Sequence, residues 1–275
     1  MVKKLFKYEM KHYLGIVLLI EAIILLMAFF IRITLFFEDD NIFYDILFYS
    51  SWNLFRVAIV LSFVIAEILI VVRFYKNLYT AEGYLSFTLP VTEAQHLFVK
   101  LLSAIVVNLA LGVGALVAFF VATAGELGIE FIKAGVFLIE EFFEEFSSKT
   151  SAILNCSFYV VEIIIFVVTQ LCFIFLLFYS CMTIGQLAKK NRVLAAIGMY
   201  IALTFVMQTI TTVVTIFFAF TSSFDVYSDI LEFINENFEL VIHIVLCSAI
   251  VISGGLSVGF FALNRHIMSR KLNLE

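Results

Sequence analysis

Six acidic or amide side chains fall inside otherwise apolar stretches, and their types suggest chemistry. They are Glu21, Glu67, Asn108, Glu162, Gln170 and Gln208. A polar group within an apolar run long enough to cross a membrane is costly, so it marks either a transport pathway, a proton relay or an interhelical hydrogen bond. Glu21 lies about 10 Å into its run at about 1.5 Å per residue. We take all six as candidate translocation-pathway residues, with simple interhelical packing as the alternative.

The sequence carries no motif for nucleotide hydrolysis or metal catalysis, and none for acyl transfer in a suitable context. No GxxxxGK[ST] loop is present to cradle phosphates, and HExxH does not occur. Residues 255–259 match GxSxG, but they lie inside a long apolar run and not at the strand-to-helix turn that this motif needs, so we interpret their glycines as packing residues. The four histidines lie in separate segments, and the four cysteines fall in apolar runs without CxxC spacing. We therefore expect no catalytic residue, no metal site and no cofactor bound by this chain, and we interpret the cysteines as packing residues.

The composition indicates an integral membrane protein. The chain has 275 residues, of which 63% are hydrophobic and 14% are charged, whereas soluble domains average about 25% charged residues. At about 20 apolar residues per span, the length allows about six spans. The basic residues are few and divided among short loops, which disfavours nucleic-acid binding. We predict a single all-α transmembrane domain over residues 1–275.

The apolar runs predict where the six spans lie. The predicted spans are residues 14–37, 51–73, 96–124, 152–184, 193–220 and 239–263. Residues 2–13 alternate lysines with apolar residues at helical spacing, which predicts an interfacial helix along the inner leaflet. Residues 125–150 interleave acidic and apolar residues, which favours an amphipathic region at the outer surface over a further span.

The distribution of basic residues predicts the orientation. One side of the predicted topology carries Lys3, Lys4, Lys7, Lys11, Arg73, Lys76, Lys100, Lys189, Lys190, Arg192, Arg265, Arg270 and Lys271. The opposite loops hold only Lys133 and Lys149, with Arg32 and Arg56 near that end of their spans. Because loops rich in lysine and arginine stay in the cytoplasm, we expect both termini and the segment around residues 74–90 to be cytoplasmic.

The segment 74–90 is a short polar interruption between two long apolar runs. Thr80 is suited to cap a helix beginning at Ala81, and Glu82 then lies in the first turn, where the helix dipole favours a carboxylate. Pro90 ends the helix. Three side chains share one face at i, i+3 and i+4: Tyr84, Phe87 and Thr88. The pattern predicts either a docking helix or an ordinary interfacial helix.

Residues 73–91 resemble the first cytoplasmic loop of bacterial ABC-2-type transporter permeases, especially those of low-GC Gram-positive bacteria. The shared pattern is aromatic-Tyr-Lys, then EGYL at 82–85, then TLP at 88–90. The loop 185–192 and the ending 271–275 are also similar to that family. The resemblance implies a six-span, type V exporter-like permease fold. In that fold residues 2–13 are the elbow helix and residues 74–90 the coupling helix.

The resemblance also implies partners. The permease would dimerise with a second copy or a related permease and bind two cytoplasmic ABC ATPase subunits, which hold the ATP and magnesium. The implied ATPase-docking residues are Tyr79, Thr80, Glu82, Gly83, Tyr84, Leu85, Phe87 and Thr88. A path between the protomers, lined by the first, second and fifth spans, makes Glu21, Glu67 and Gln208 the first candidates for its lining.

The resulting expectation is the membrane subunit of an ABC exporter in a bacterial cytoplasmic membrane. Its cargo would be amphipathic or hydrophobic, such as an antimicrobial-type peptide or a lipid-like molecule. One alternative is an ion-coupled secondary transporter, for which Glu21, Glu67 and Glu162 would be the carriers. A second alternative is a membrane anchor or sensor for a cytoplasmic protein. The sequence alone does not separate a homodimer from a heterodimer.

Overall fold

The protein is all-α in the computed structural model. The model describes residues 2–37, 41–80, 82–83, 88, 90–125, 129–130, 132–137, 149–188, 190–221, 232–234 and 237–270. The long helices are α1 (Val2–Phe36), α2 (Ile42–Tyr79), α3 (Glu93–Thr123), α4 (Lys149–Gly185), α5 (Arg192–Thr221) and α6 (Phe238–Arg270). Most of the predicted outer region 125–150 and of the loop 221–238 lies outside the described residues.

All six long helices are long and apolar enough to cross a membrane. The shortest apolar segment, Arg192–Phe217, has 26 residues. At about 1.5 Å per residue it measures about 39 Å, which exceeds the hydrocarbon thickness of about 30 Å. The prediction of a six-helix, multi-pass membrane protein is confirmed at this level.

Several helix boundaries differ from the prediction, since α2 continues to Tyr79 and α6 to Arg270, and the starts of α1 and α2 also differ. Residues 2–13 do not form a separate helix, because α1 runs without a break from Val2 to Phe36. α1 contains one glycine, Gly15, and no proline, and one glycine costs too little to end a helix that packs against its neighbours. α2 begins at Ile42 instead of near residue 51, because the Asn41 side chain accepts a hydrogen bond from the Phe43 N–H at 3.2 Å and caps the helix.

The first compact unit, Met1–Glu141, contains α1, α2 and α3. α1 packs most extensively against α3 and then against α2. The start of α3 is well defined, because Thr92 and Gln95 form a reciprocal capping box. Large side chains fill the core of this unit: Ile24, Ile31, Phe55, Ile70, Phe74, Leu97 and Leu111.

The second compact unit, Phe142–Glu275, contains α4, α5 and α6. Its packing order is the same, since α4 packs most extensively against α6 and then against α5. Phe175, Leu176 and Tyr179 of α4 are almost fully buried. α6 turns Ser253 and Ser257 inward, whereas Gly255 and Gly259 have nothing within 4 Å of an added Cβ. The two serines therefore lie on the packed face of α6, and the two glycines do not.

Candidate functional site

The segment 74–90 begins as the last turns of α2, which continues to Tyr79. Thr80 closes α2, because its hydroxyl donates to the Lys76 carbonyl at 2.6 Å. This hydroxyl was predicted to cap the next helix. Instead, the Thr80 carbonyl accepts a hydrogen bond from the Gly83 N–H at 2.7 Å. Glu82, Gly83 and Thr88 are helical. The predicted docking residues Tyr84, Leu85 and Phe87 lie outside the described residues.

Gly83 is required by a close backbone approach. A Cβ at this position would lie 2.5 Å from the Leu78 carbonyl oxygen and 2.7 Å from its carbon. Backbone atoms cannot move aside as the tip of a flexible side chain can, so any larger residue displaces the chain. The glycine therefore lets the chain turn back directly over the end of α2.

Three of the docking candidates differ in their exposure. The side chain of Tyr79 is 7% exposed and packs edge-on against Phe74, with ring centroids 5.8 Å apart. Glu82 and Thr88 are exposed. Tyr79 therefore holds the end of α2 in the core, and Glu82 and Thr88 are the docking candidates that the described part of this segment presents at its surface.

A buried ionic cluster ties this end of α2 to α1 and α3. Glu9 of α1 and Lys100 of α3 form an ion pair in which the two side chains are 5% and 4% exposed. The Asn77 side chain of α2 donates to Glu9 Oε1 at 2.8 Å. All three helices of the first unit therefore meet at one carboxylate.

Arg73 extends this cluster to the surface. Its Nε lies 3.8 Å from Glu9 Oε2, and its Nη1 lies 3.7 Å from Glu82 Oε2. The Arg73 side chain is 25% exposed, between the buried Glu9 and the exposed Glu82. Two carboxylates and two cations alternate in the chain Lys100–Glu9–Arg73–Glu82, so their formal charges balance.

Sequence reasoning missed this cluster. Lys100 was counted only as one of the cytoplasmic basic residues, and Glu9 was not singled out among the lysines of the first turns. A usable signal was present, because Glu9 is an acid in a lysine-rich amphipathic helix and Lys100 lies within an apolar run. Charges in such positions are usually paired.

The pathway candidates of the first unit have different surroundings. The Glu21 carboxylate lies against Gly114 of α3, where a Cβ would overlap it. Both carboxylate oxygens are buried and lack a hydrogen-bond partner among the described residues. Asn108 is buried and donates to the Ala104 carbonyl of its own helix at 3.2 Å. Glu67 is half-buried.

In the second unit, Glu162 of α4 pairs with His243 of α6. Glu162 Oε2 lies 2.7 Å from His243 Nδ1, and the His243 ring stacks on Tyr159 with centroids 4.3 Å apart. Gln170 is half-buried and Gln208 is exposed. Within the described part of the chain, no hydrogen bond or ion pair joins two of the six predicted pathway residues.

A second buried network lies between α4 and α6. The Thr183 hydroxyl donates to Asn264 Oδ1 at 2.6 Å, and Asn264 Nδ2 donates to Ser180 Oγ at 2.8 Å. All three residues are fully buried. Because these polar groups have hydrogen-bond partners, we interpret the network as a structural contact between the two helices.

Comparison with known proteins identifies no relative. No family model, no curated protein and no solved structure matches this chain. Among the described residues, no group of three histidine, cysteine, aspartate or glutamate side chains is placed to hold a metal ion. The features that bear on function are the exposed segment at the end of α2 and the ionic cluster that joins it to α1 and α3.

Proposed function

We propose that this chain is the membrane subunit of an ATP-driven ABC exporter. Separate cytoplasmic ATPase subunits hold the ATP and magnesium and dock on the segment that follows α2. The chain itself carries no catalytic residue and acts as a permease. It works as a dimer with a second copy or a related permease in a bacterial cytoplasmic membrane, with both termini in the cytoplasm.

The observation that carries the proposal is the connection from Glu82 to all three helices of the first unit. Glu82 is exposed and contacts Arg73, and Arg73 contacts the Glu9 that binds both Lys100 and Asn77. A force applied at Glu82 therefore reaches α1, α2 and α3 together. Rigid-body motion of packed helices is a usual way to alternate access to a transport path.

The cargo is amphipathic or hydrophobic, for example an antimicrobial-type peptide or a lipid-like molecule. An apolar cargo would suit an apolar cavity of ≈ 630 Å³ between α1 and α2, which is lined by residues such as Met27, Phe30 and Leu54. The hydroxyls of Ser50 and Ser51 at its wall donate to carbonyls of their own helix, at Leu47 and Phe48. The wall therefore offers few donors to a polar cargo.

Co-purification from the native host tests the partner. We expect the chain to bring a nucleotide-binding subunit with it, and purification without such a subunit contradicts the proposal. The docking surface is tested with Glu82→Ala and Tyr84→Ala in reconstituted vesicles. We expect each to reduce the association of the ATPase and its stimulated activity by about 5-fold to 30-fold, the effect of losing about 1–2 kcal/mol at an interface.

Lys190→Ala is the matched control, because Lys190 is exposed in the other predicted cytoplasmic loop. We expect the control to leave both association and ATPase activity unchanged. Unchanged values for Glu82→Ala and Tyr84→Ala as well remove the assignment of this segment as the coupling element. Equal losses in all three variants point to a general effect of purification.

An ion-coupled secondary transporter is the second candidate. Each compact unit has three long helices with the same packing order, and repeated three-helix units are common in secondary transporters. Glu162 and His243 form a polar pair between two membrane-length helices, and polar groups in such segments are often functional. Transport driven by a proton gradient in vesicles that lack ATPase subunits supports this candidate, and transport that requires ATP supports the exporter.

A further inference from the structure

We propose that Arg73 is a two-position switch that senses whether Glu82 is engaged by the partner. The inference rests on the proposed function for the identity of that partner, an ATPase that presents a cationic group to Glu82. The switch itself follows from the position of Arg73 between two carboxylates.

Arg73 is close to both carboxylates but makes a direct hydrogen bond to neither. Its distances to Glu9 and Glu82 are 3.8 Å and 3.7 Å, whereas direct guanidinium–carboxylate contacts are about 2.7–2.9 Å. Among the described residues, neither Arg73 Nε nor Glu9 Oε2 has a hydrogen-bond partner. A movement of about 1 Å toward either acid therefore gains one close contact and loses the other.

The two acids differ in what can replace Arg73. Glu9 is buried and keeps its contacts with Lys100 and Asn77 when Arg73 moves away. The Glu82 side chain is 59% exposed and is accessible to an external cation. When the partner takes Glu82, Arg73 closes on Glu9 and draws the end of α2 toward α1. When the partner leaves, Arg73 returns to Glu82.

This arrangement makes Arg73 a competitor of the partner for Glu82, which gives opposite predictions for two variants. Arg73→Gln removes the competitor and leaves the Glu9–Lys100 pair intact. The neutral-core variant, Glu9→Gln with Lys100→Met, removes both charges of the buried pair and releases Arg73 to Glu82. Neutral replacement of both partners of a buried pair is usually tolerated, so this variant is expected to fold.

Hydrogen exchange of the chain alone tests the switch. In peptides covering residues 80–83 we expect exchange to slow by about twofold to fivefold in the neutral-core variant and to accelerate by a similar factor in Arg73→Gln, the range for one partly exposed ion pair. Lys76→Gln, which changes an exposed cation on the same helix, is expected to leave exchange unchanged. Effects of the same sign in the two variants, or no effect in either, overturn the proposal.

Titration with the co-purified ATPase tests the use of the switch. We expect the neutral-core variant to weaken association by about twofold to fivefold and Arg73→Gln to strengthen it by a similar factor. A purely structural role weakens association in both variants, and that result overturns the proposal. If the unaltered chain binds no ATPase, the proposed function fails, and the exchange experiment still decides whether Arg73 switches.

Discussion

The buried pair of Glu9 and Lys100 gives the sharpest stability prediction. Both side chains are at most 5% exposed, so removal of one partner takes the nearest opposite charge away from a buried ion. Breaking such a pair costs about 3–5 kcal/mol, whereas replacing both partners with neutral side chains is close to neutral or stabilising. Each single variant should therefore be much less stable than the double variant.

The surroundings of the pair predict an asymmetry between the single variants. In Glu9→Gln, Lys100 loses its buried acid and still faces the positive charge of Arg73, so we expect about 3–5 kcal/mol of destabilisation. In Lys100→Met, Glu9 keeps the Asn77 amide at 2.8 Å and the nearby Arg73 guanidinium. We expect a smaller cost there, about 2–3 kcal/mol.

Equilibrium unfolding in mixed micelles measures these free energies for each variant and for the double variant. We expect the double variant to lie within about 1 kcal/mol of the unaltered protein, which gives a coupling energy of at least about 4 kcal/mol between the two sites. A double variant as unstable as Glu9→Gln alone, or single variants of equal and small effect, refutes the description of a buried compensated pair.

Three further predictions concern helix contacts and use the same unfolding assay. Gly114→Ala should cost about 1 kcal/mol or less, because its methyl group overlaps the Glu21 carboxylate, the tip of a side chain that can shift. Gly112→Ala, which points into open space, should be neutral or slightly stabilising, and equal effects of the two variants contradict the contact. Asn264→Leu should cost about 1–3 kcal/mol, since it breaks the interhelical bonds to Thr183 and Ser180, and an unchanged stability shows that the network contributes nothing. Glu162→Leu should cost about 1 kcal/mol by removing the contact with His243. If the two side chains form a direct pair, His243→Leu should cost the same, and the double variant should be no less stable than either single variant.

The helices themselves were predictable from local sequence. α4 and α5 differ from the predicted spans by three residues or fewer at each end, because long apolar runs bounded by charged loops specify spans without reference to neighbours. The ends that depend on capping or continuation were less predictable. Asn41 starts α2 well before the predicted span, and α1 continues through the proposed elbow.

The candidate site was predictable only in part. Its place in the chain, near Glu82 and Gly83, followed from the polar interruption between two apolar runs and from the family resemblance. The predicted capping role of Thr80 was wrong, because a hydroxyl at a helix boundary can bond either to the preceding or to the following helix. The choice depends on how the chain turns back at Gly83.

By itself the sequence determined that the chain is helical, apolar and built from six membrane-length segments, because composition and periodicity are local properties. The tertiary structure alone decided that Glu9 meets Lys100, a contact between residues 91 positions apart. It also decided that Glu21 meets Gly114 and that Glu162 meets His243. The physical reason is that side-chain type identifies a residue that needs a partner, whereas the rotation and pairing of packed helices choose which partner it finds.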